Sequence, residues 1–318
     1  NLVKGADCVW HNAAAVGPFH PRPLYFQVNY EGTLNVIKAC KAAGVRKVVM
    51  SSSPSTRFDG SDVDGLTEEQ MPKLPQARYL QTYAETKAMG EKAMTDAATD
   101  EFMTCAVAPH QVYGPRDNLF LPNLLEACGT GRLRVFGNGR NRICFTHVDN
   151  YAHGLIIAER ALVPGGKALG NFYIVTDAET HPHPDGYLYF WDVIEEASLA
   201  MGFASIKQRF SLPLPLLLLI AYICEFIGWV TGVTLKLSMF NVKMLTMHRW
   251  FNISASVRDL DYKPVVAYSE GWKDTLLWFR QHWLPSFDRT AGVTGLSEGT
   301  QQKINIQAAG TSGTKKAD

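Results

Sequence analysis

No C-x-x-C pair occurs among the six cysteines of this chain, which are scattered at positions 8, 40, 105, 128, 144 and 224. That scatter excludes a zinc knuckle and a disulfide framework, and it suits a reducing compartment. An excess of charge is missing too. With 31 basic against 30 acidic residues the net charge is +1, so there is no electrostatic footprint for nucleic acid. Internal repeats are absent. His181 and His183 in "HPHP" are two lone histidines in a proline-rich loop; they read as solvated, and no metal is expected. A chain of 318 residues can still bury a sizeable core as one large domain or two modest ones.

What is present alternates. "DCVWHNAA" (7–14) reads as a short buried strand running into small residues. Apolar positions across 24–43 predict a helix that Gly44 terminates. "KVVMS" (47–51) is a second buried strand, and it ends in a serine cluster. A long polar loop with turns at Asp59-Gly60 and Asp64-Gly65 follows, then a helix across "TYAETKAMGEKAM". "MTCAVA" (103–108) is a third strand, stopped by Pro109. Farther on, 119–131 reads as a helix, "LRVFGNG" as strand and turn, 148–162 as an amphipathic helix, "NFYIVTD" as a strand and 268–283 as a helix. Strands alternating with helices at this spacing define an α/β fold, a Rossmann-like doubly wound parallel sheet with helices on its faces. The expected division is 1–117 for the sheet domain, 118–211 with 236–287 for a smaller substrate-binding region, and 288–318 for a disordered tail rich in Gly, Ser, Thr and Gln.

Tyr83 and Lys87 lie four apart, and no other of the twelve tyrosines has a lysine at that spacing. On a helix the two side chains share a face. In an open parallel sheet, ligands bind beyond the carboxyl ends of the strands. There the first strand ends in small residues, the second in Ser51–Ser53 and the third in the rigid "PHQVYGPRD" turn. A hydroxyl, a phenol and an ammonium therefore converge by topology. A phenol is a poor base at neutral pH, and a lysine cation within about 4–6 Å can lower its pKa by roughly 1–3 units. Such a site can take a proton from an alcohol while hydride leaves the same carbon. His110 and His147 read as hydrogen-bonded packing residues rather than bases.

The stretches "VWHNAA", "VNYEGTLNVIKACKAAGVRKVVMSSSPS", "YAETKAMGEKAM", "APHQVYGPRD", "FGNGRNRICFTHVDNYAHG" and "YKPVVAYSEGW" together resemble the extended short-chain dehydrogenase/reductases. More closely they resemble the 3β-hydroxysteroid dehydrogenase branch, with its decarboxylating sterol-4α-carboxylate 3-dehydrogenases. The resemblance implies an NAD- or NADP-dependent oxidoreductase acting on the 3β-hydroxyl of a sterol or steroid. Carried over by position, Tyr83 is the general base and Lys87 its ribose-binding partner. Ser53 is the catalytic hydroxyl, with Ser52 as the fallback if the register slips by one, and Asn29 stands on the helix behind the site. Ala13 and Ala14 line the adenosine side, and the backbone at Pro109 and His110 packs on the nicotinamide. Three departures stand out. Ala108 replaces the family's arginine, residues 180–192 form a longer loop, and no G-x-x-G-x-x-G occurs in the chain. The family's first strands, with that glycine loop, would lie before residue 1, so the chain is expected to be N-terminally truncated. Two alternatives stay open: a reductase or dehydrogenase of another small lipid or flavonoid-like alcohol, or a non-catalytic membrane-bound fragment.

Residues 212–235, "LPLPLLLLIAYICEFIGWVTGVTL", carry one charge, Glu225. The length is enough to span a bilayer, which takes about 20 apolar residues. A buried core helix, a shallow or hairpin insertion and a full span all fit, with membrane contact of some kind favoured. The closing "KKAD" matches an endoplasmic reticulum retrieval signal as well as an ordinary solvated tail. The expected placement is the cytosolic face of the endoplasmic reticulum membrane, with the lipid droplet a second site. The expected partners are a sterol or steroid substrate and membrane lipid, with a homodimer left open.

Overall fold

The computed structural model describes residues 2–17, 20–231 and 237–288. The chain forms two compact units. The first comprises the chain up to Val112 with Arg142–Leu188 and Met247–Gly271; the second comprises Tyr113–Asn141, Tyr189–Thr246 and the chain from Trp272. The expected boundaries therefore need correcting. Residues 142–188 and 247–271, assigned above to the substrate region, belong to the first unit because they complete its sheets.

The centre of the first unit is a four-stranded parallel sheet in the order Cys8–His11, Lys47–Ser51, Met103–Pro109, Phe172–Val175. Val48, Val49 and Met50 are buried, as near-continuous apolar strands require when helices cover both faces. The register pairs His11 with Met50, Ser51 with Val107 and Pro109 with Val175, so four carboxyl ends open onto one edge. Cys8–His11 lies at the end of the strand order and is only partly buried, with Trp10 43% exposed, so the expectation of a fully buried strand fails there.

The 24–43 helix is built from a short α-turn (Arg22–Tyr25), a π-helical turn (Phe26–Glu31) and the Gly32–Ala43 helix. Gly44 ends it in the left-handed conformation at φ 74°. The Thr82–Asp96 helix buries Ala84, Thr86, Lys87, Ala88, Gly90, Glu91 and Met94, and the small side chains among them let it lie close to its neighbours. Gly90 is the tightest point, because a Cβ there would come 2.4 Å from the Asn29 carbonyl oxygen.

Two local expectations change. Asp64-Gly65 is no turn: Val63–Leu66 is a strand paired in parallel with Arg249–Phe251, and the register shifts at the pairing of Leu66. Gly65 keeps its left-handed φ of +74° inside that strand, and the Trp250 indole lies 2.6 Å from where its Cβ would stand. "LRVFGNG" contributes a turn but no strand, only a single bridge between Phe136 and Leu212.

In the second unit the apolar segment forms the Leu214–Thr231 helix, with Pro215 in its first turn. Only Leu217 and Ala221 are buried along it, packed against Val242 of the Met239–Thr246 helix. A core helix buries most of its length, whereas this one buries 11% among the described residues. Glu225 accepts a hydrogen bond from the Met239 backbone N–H at 2.8 Å, which gives the segment's one carboxylate a partner. The tail expected to be disordered lies outside the described residues from 289 onward, as do 232–235 of the apolar segment.

Candidate active site

The site is assembled from the strand ends of the first unit. Its three consecutive serines have three separate partners. Ser51 Oγ accepts a hydrogen bond from the Tyr151 hydroxyl on the Val148–Ala161 helix. Ser52 is buried and donates to the Glu91 carboxylate. Ser53 caps the Pro54–Arg57 turn, accepts from the Ser55 N–H at 3.3 Å and shares a hydrogen bond with Ser55 Oγ at 2.9 Å; its hydroxyl also lies near enough to the Tyr83 phenol to act on that group's ionisation. Alternation along the extended chain puts Ser53, not the fallback Ser52, beside the phenol.

Lys87 is buried and donates from Nζ to the Ser51 carbonyl at 2.6 Å. Burial pushes its ammonium down to about 8, opposed by Glu91 one turn along the helix. The Tyr83 phenol is pushed up to about 12 by burial, with the Ser53 hydroxyl opposing. The lysine was expected to lower this phenol, and here the shift runs the other way. Desolvation of the phenolate dominates, and the described contact of the lysine is to the Ser51 carbonyl. At neutral pH the Tyr83 hydroxyl therefore keeps its proton.

Asn29 lies fully buried behind this pair. Its Oδ1 accepts from the Ala15 N–H at 2.8 Å, while its Nδ2 donates to the Ala15 carbonyl and to Thr86 Oγ1, both at 3.2 Å. It thereby ties the small-residue turn after the first strand to the helix that carries Tyr83 and Lys87. Ala13 is exposed on that turn and Ala14 half-buried. Pro109 ends the third strand. His110 points inward, its Nδ1 on the Cys144 carbonyl at 2.8 Å and its backbone N–H on Thr146 Oγ1 at 3.1 Å. Burial and Arg249 push the imidazole down to about 3, so the side chain is packing and not a base.

Four participants were missed in the sequence. His11 shares a hydrogen bond with Thr33 Oγ1 at 2.9 Å, and burial, then the Lys87 charge, push it down to about 4. Glu91 is 1% exposed and gathers Arg57 at 2.6 Å, Ser52 and Thr56. Arg57 in turn lies 3.5 Å over the Phe172 ring. Tyr151 is the fourth. Glu91 alone had a usable signal, as an acid on the buried face of the helix one turn beyond Lys87.

His181 corrects the solvated reading of "HPHP": it is 7% exposed, with Nδ1 on the Gly186 carbonyl at 2.9 Å and its ring edge-on to Tyr268. His183 stacks on Tyr187 with centroids 3.8 Å apart. Among the described residues no group of three or more His, Cys, Asp or Glu could hold a metal ion.

A parallel sheet with serine, tyrosine and lysine gathered at its carboxyl edge defines a Rossmann-like protein of the extended short-chain dehydrogenase/reductase kind. Residues 1–204 match the 3-beta hydroxysteroid dehydrogenase/isomerase family, and the chain belongs to that family. The 3beta-hydroxysteroid-dehydrogenase/decarboxylase isoform 1 of Arabidopsis thaliana is 33% identical over 281 residues, covering 86% of this chain and 62% of its own. The human sterol-4-alpha-carboxylate 3-dehydrogenase, decarboxylating, is 35% identical over 211 residues, 65% of this chain and 54% of its own. A 2-alkyl-3-oxoalkanoate reductase of Stenotrophomonas maltophilia is 30% identical over 274 residues, 85% of this chain and 80% of its own. The chain thus spans less than two thirds of the first two relatives. Among solved structures, UDP-glucuronic acid 4-epimerase from Bacillus cereus in complex with NAD shares the fold. Its TM-score is 0.63 at 19% identity, over 91% of this chain and 78% of that one.

Proposed function

We propose that this chain carries the catalytic edge of a nicotinamide-dependent dehydrogenase that oxidises the 3β-hydroxyl of a sterol or steroid to a 3-ketone. The observation that carries the reading is the convergence of Ser53, Tyr83 and Lys87 at one sheet edge. The donor set fits the ribose–nicotinamide end of NAD or NADP. Lys87 has ammonium donors beyond the one given to Ser51, the Tyr83 hydroxyl is adjacent, and exposed Ala13 leaves the backbone open to a flat ring. The pyrophosphate end has no glycine loop in these 318 residues. When bound, the nicotinamide supplies the hydride acceptor and, when oxidised, a positive charge.

The chain's own residues do the proton chemistry. Ser53 holds the substrate oxygen beside the phenol, and Tyr83 in its phenolate form takes the hydroxyl proton. The elevated phenol requires a cationic surrounding before it can act as a base, so the oxidation rate should rise with pH. Where the substrate bears a 4α-carboxylate, the 3-ketone makes it a β-keto acid. The C4–carboxylate bond then breaks with its electron pair delocalised onto the ketone oxygen, and CO2 leaves without a dedicated acid.

In the full-length protein, Tyr83→Phe is expected to lower turnover by about 10²–10⁴-fold, the range for loss of a general acid–base group. Retention of more than a tenth of the activity would sink the assignment. The bacterial reductase favours a second reading, a shorter 3-hydroxy or 3-keto lipid as substrate. Assaying a 3β-hydroxysterol beside a 2-alkyl-3-oxoalkanoate separates the two.

The exposed apolar helix supports membrane attachment, on the cytosolic face of the endoplasmic reticulum in this reading. Its start is held by Leu212 against Phe136, and Val242 packs back on Leu217 and Ala221. A chain that returns to where it left inserts from one side, as a hairpin or shallow wedge, rather than crossing once.

A further inference from the structure

The proposed chemistry leaves one member of the site without a task. Tyr151 stands on the Val148–Ala161 helix, 100 residues from the serine it contacts, and its hydroxyl donates to Ser51 Oγ. Ser51 closes the Lys47–Ser51 strand, and its carbonyl is the acceptor for the Lys87 ammonium at 2.6 Å. One residue is thus gripped from two sides, its hydroxyl by a phenol and its carbonyl by the lysine that serves the site. We propose that Tyr151 is a positioning residue for the Tyr83–Lys87 pair, acting through Ser51: it fixes the strand end whose carbonyl holds the Lys87 ammonium. The proposal rests on the dehydrogenase reading for its functional consequence, but the linkage itself is a property of this chain.

The bland alternative is that Tyr151 simply fills space. Its ring would do that equally well without the hydroxyl, which is why Tyr151→Phe separates the two. Without the hydroxyl the Ser51 side chain is unclamped and the carbonyl contact to Lys87 loosens. The charged ammonium then loses part of its best acceptor, so the Lys87 pKa should fall below its already depressed value. The other groups that face this centre are His11 and Tyr25 from neighbouring elements, Tyr83 and Glu91 from the lysine's own helix, and Ser53 from the strand end. Of these only Tyr83 also faces the Tyr151 phenol, and at about 12 it stays neutral through the range in which Lys87 titrates, so a shift at Lys87 reports on the clamp.

The experiment compares wild type, Tyr151→Phe, Ser51→Ala and the double variant of the full-length protein, with two readouts. Side-chain NMR of ¹⁵N-lysine protein, with no ligand added, follows the Lys87 titration, and steady-state oxidation of a 3β-hydroxysterol follows turnover across pH. We expect each single variant to lower the Lys87 pKa by roughly half a unit or more, about 0.7 kcal/mol of ammonium stabilisation. Turnover should fall several-fold, and the double variant should do no more than either single one. An unshifted Lys87 titration in Tyr151→Phe would overturn the proposal, as would additive effects in the double variant. If the Lys87 shift appears but no variant, wild type included, oxidises the sterol, the clamp stands and the substrate reading fails.

Discussion

Glu91 is the most confined charge near the site, and its environment sets what its loss would cost. Arg57 meets it at 2.6 Å, with Ser52 and Thr56 taking the remaining lone pairs. A buried pair is a weak source of net stability, yet removing one partner strands the other charge, at about 3–5 kcal/mol. Arg57→Ala should therefore lower the denaturant midpoint substantially, while Arg57→Ala with Glu91→Gln should recover much of the loss; equal midpoints for wild type and the single variant would mean that the pair is not formed. The buried histidines give a second test. His11 and His181 are pushed down to about 4 and His110 to about 3, each chiefly by burial, against an ordinary value near 6.5. Between those values the unfolded chain binds more protons than the folded one, so stability falls as pH falls from about 6.5 toward 4. Midpoints measured at pH 7 and pH 5, before most carboxylates titrate, should show that drop, and a flat profile would contradict it. Tyr83 and Lys87 were legible because their spacing is a local, helical signal. Tyr151 with Ser51 and Glu91 with Ser52 were not, since those contacts bridge 100 and 39 residues and no short motif encodes them.

The Thr82–Asp96 helix shows how an element can be read correctly while its closest contact goes unnoticed. Its periodicity and the face shared by Tyr83 and Lys87 are visible in the sequence, but Gly90 reads there only as a weak point in a helix. In the fold it is the contact that lets this helix approach the π-helical turn of Asn29. Gly90→Ala should forgo the usual gain in helix propensity and destabilise by about 1–3 kcal/mol, the range for forcing a methyl group into a packed site. Calorimetric melting that rises in this variant would refute the close approach. The Val63–Leu66 strand was hidden for a related reason: a glycine at positive φ is the ordinary signature of a turn, and here it makes room for the Trp250 ring instead. For the Leu214–Thr231 helix, composition alone left three readings standing, and its exposure among the described residues favours the two membrane readings over the core helix. Leu219, Phe226 and Trp229 are all more than half exposed. Replacing Leu219 and Phe226 together by Asp should release the protein from liposomes, because each apolar side chain buried in lipid contributes about 1.5–3 kcal/mol. Unchanged flotation of that variant would show that the helix is not the attachment.

Across the whole molecule, the alternation of strands and helices made the parallel sheet legible, and the strand ends made legible the edge at which the candidate site residues gather. The unit boundaries were not, because 142–188 and 247–271 return to the first unit from far along the chain, and sequence order carries no mark of that return. The same sheet bears on cofactor binding. Nucleotide pyrophosphates are held by glycine-rich backbone at a helix N-terminus, where N–H groups and the helix dipole meet the charge. In the proposed reading the lysine and phenol serve the ribose end, but the chain has no G-x-x-G-x-x-G for the phosphates. Its Cys8–His11 strand also ends the sheet order, with Trp10 partly exposed, and it pairs on one side with Lys47–Ser51. An exposed strand edge is a site for non-native pairing. Residues 1–318 expressed alone should therefore bind NAD(H) and NADP(H) negligibly and need detergent to stay dispersed. A longer polypeptide that contributes a strand and glycine loop beside Cys8–His11 should bind in the micromolar range. Calorimetric titration of both cofactors into the purified 318-residue chain decides the point: a micromolar dissociation constant there would mean that the phosphates find their partners within this sequence, by some route other than a glycine loop.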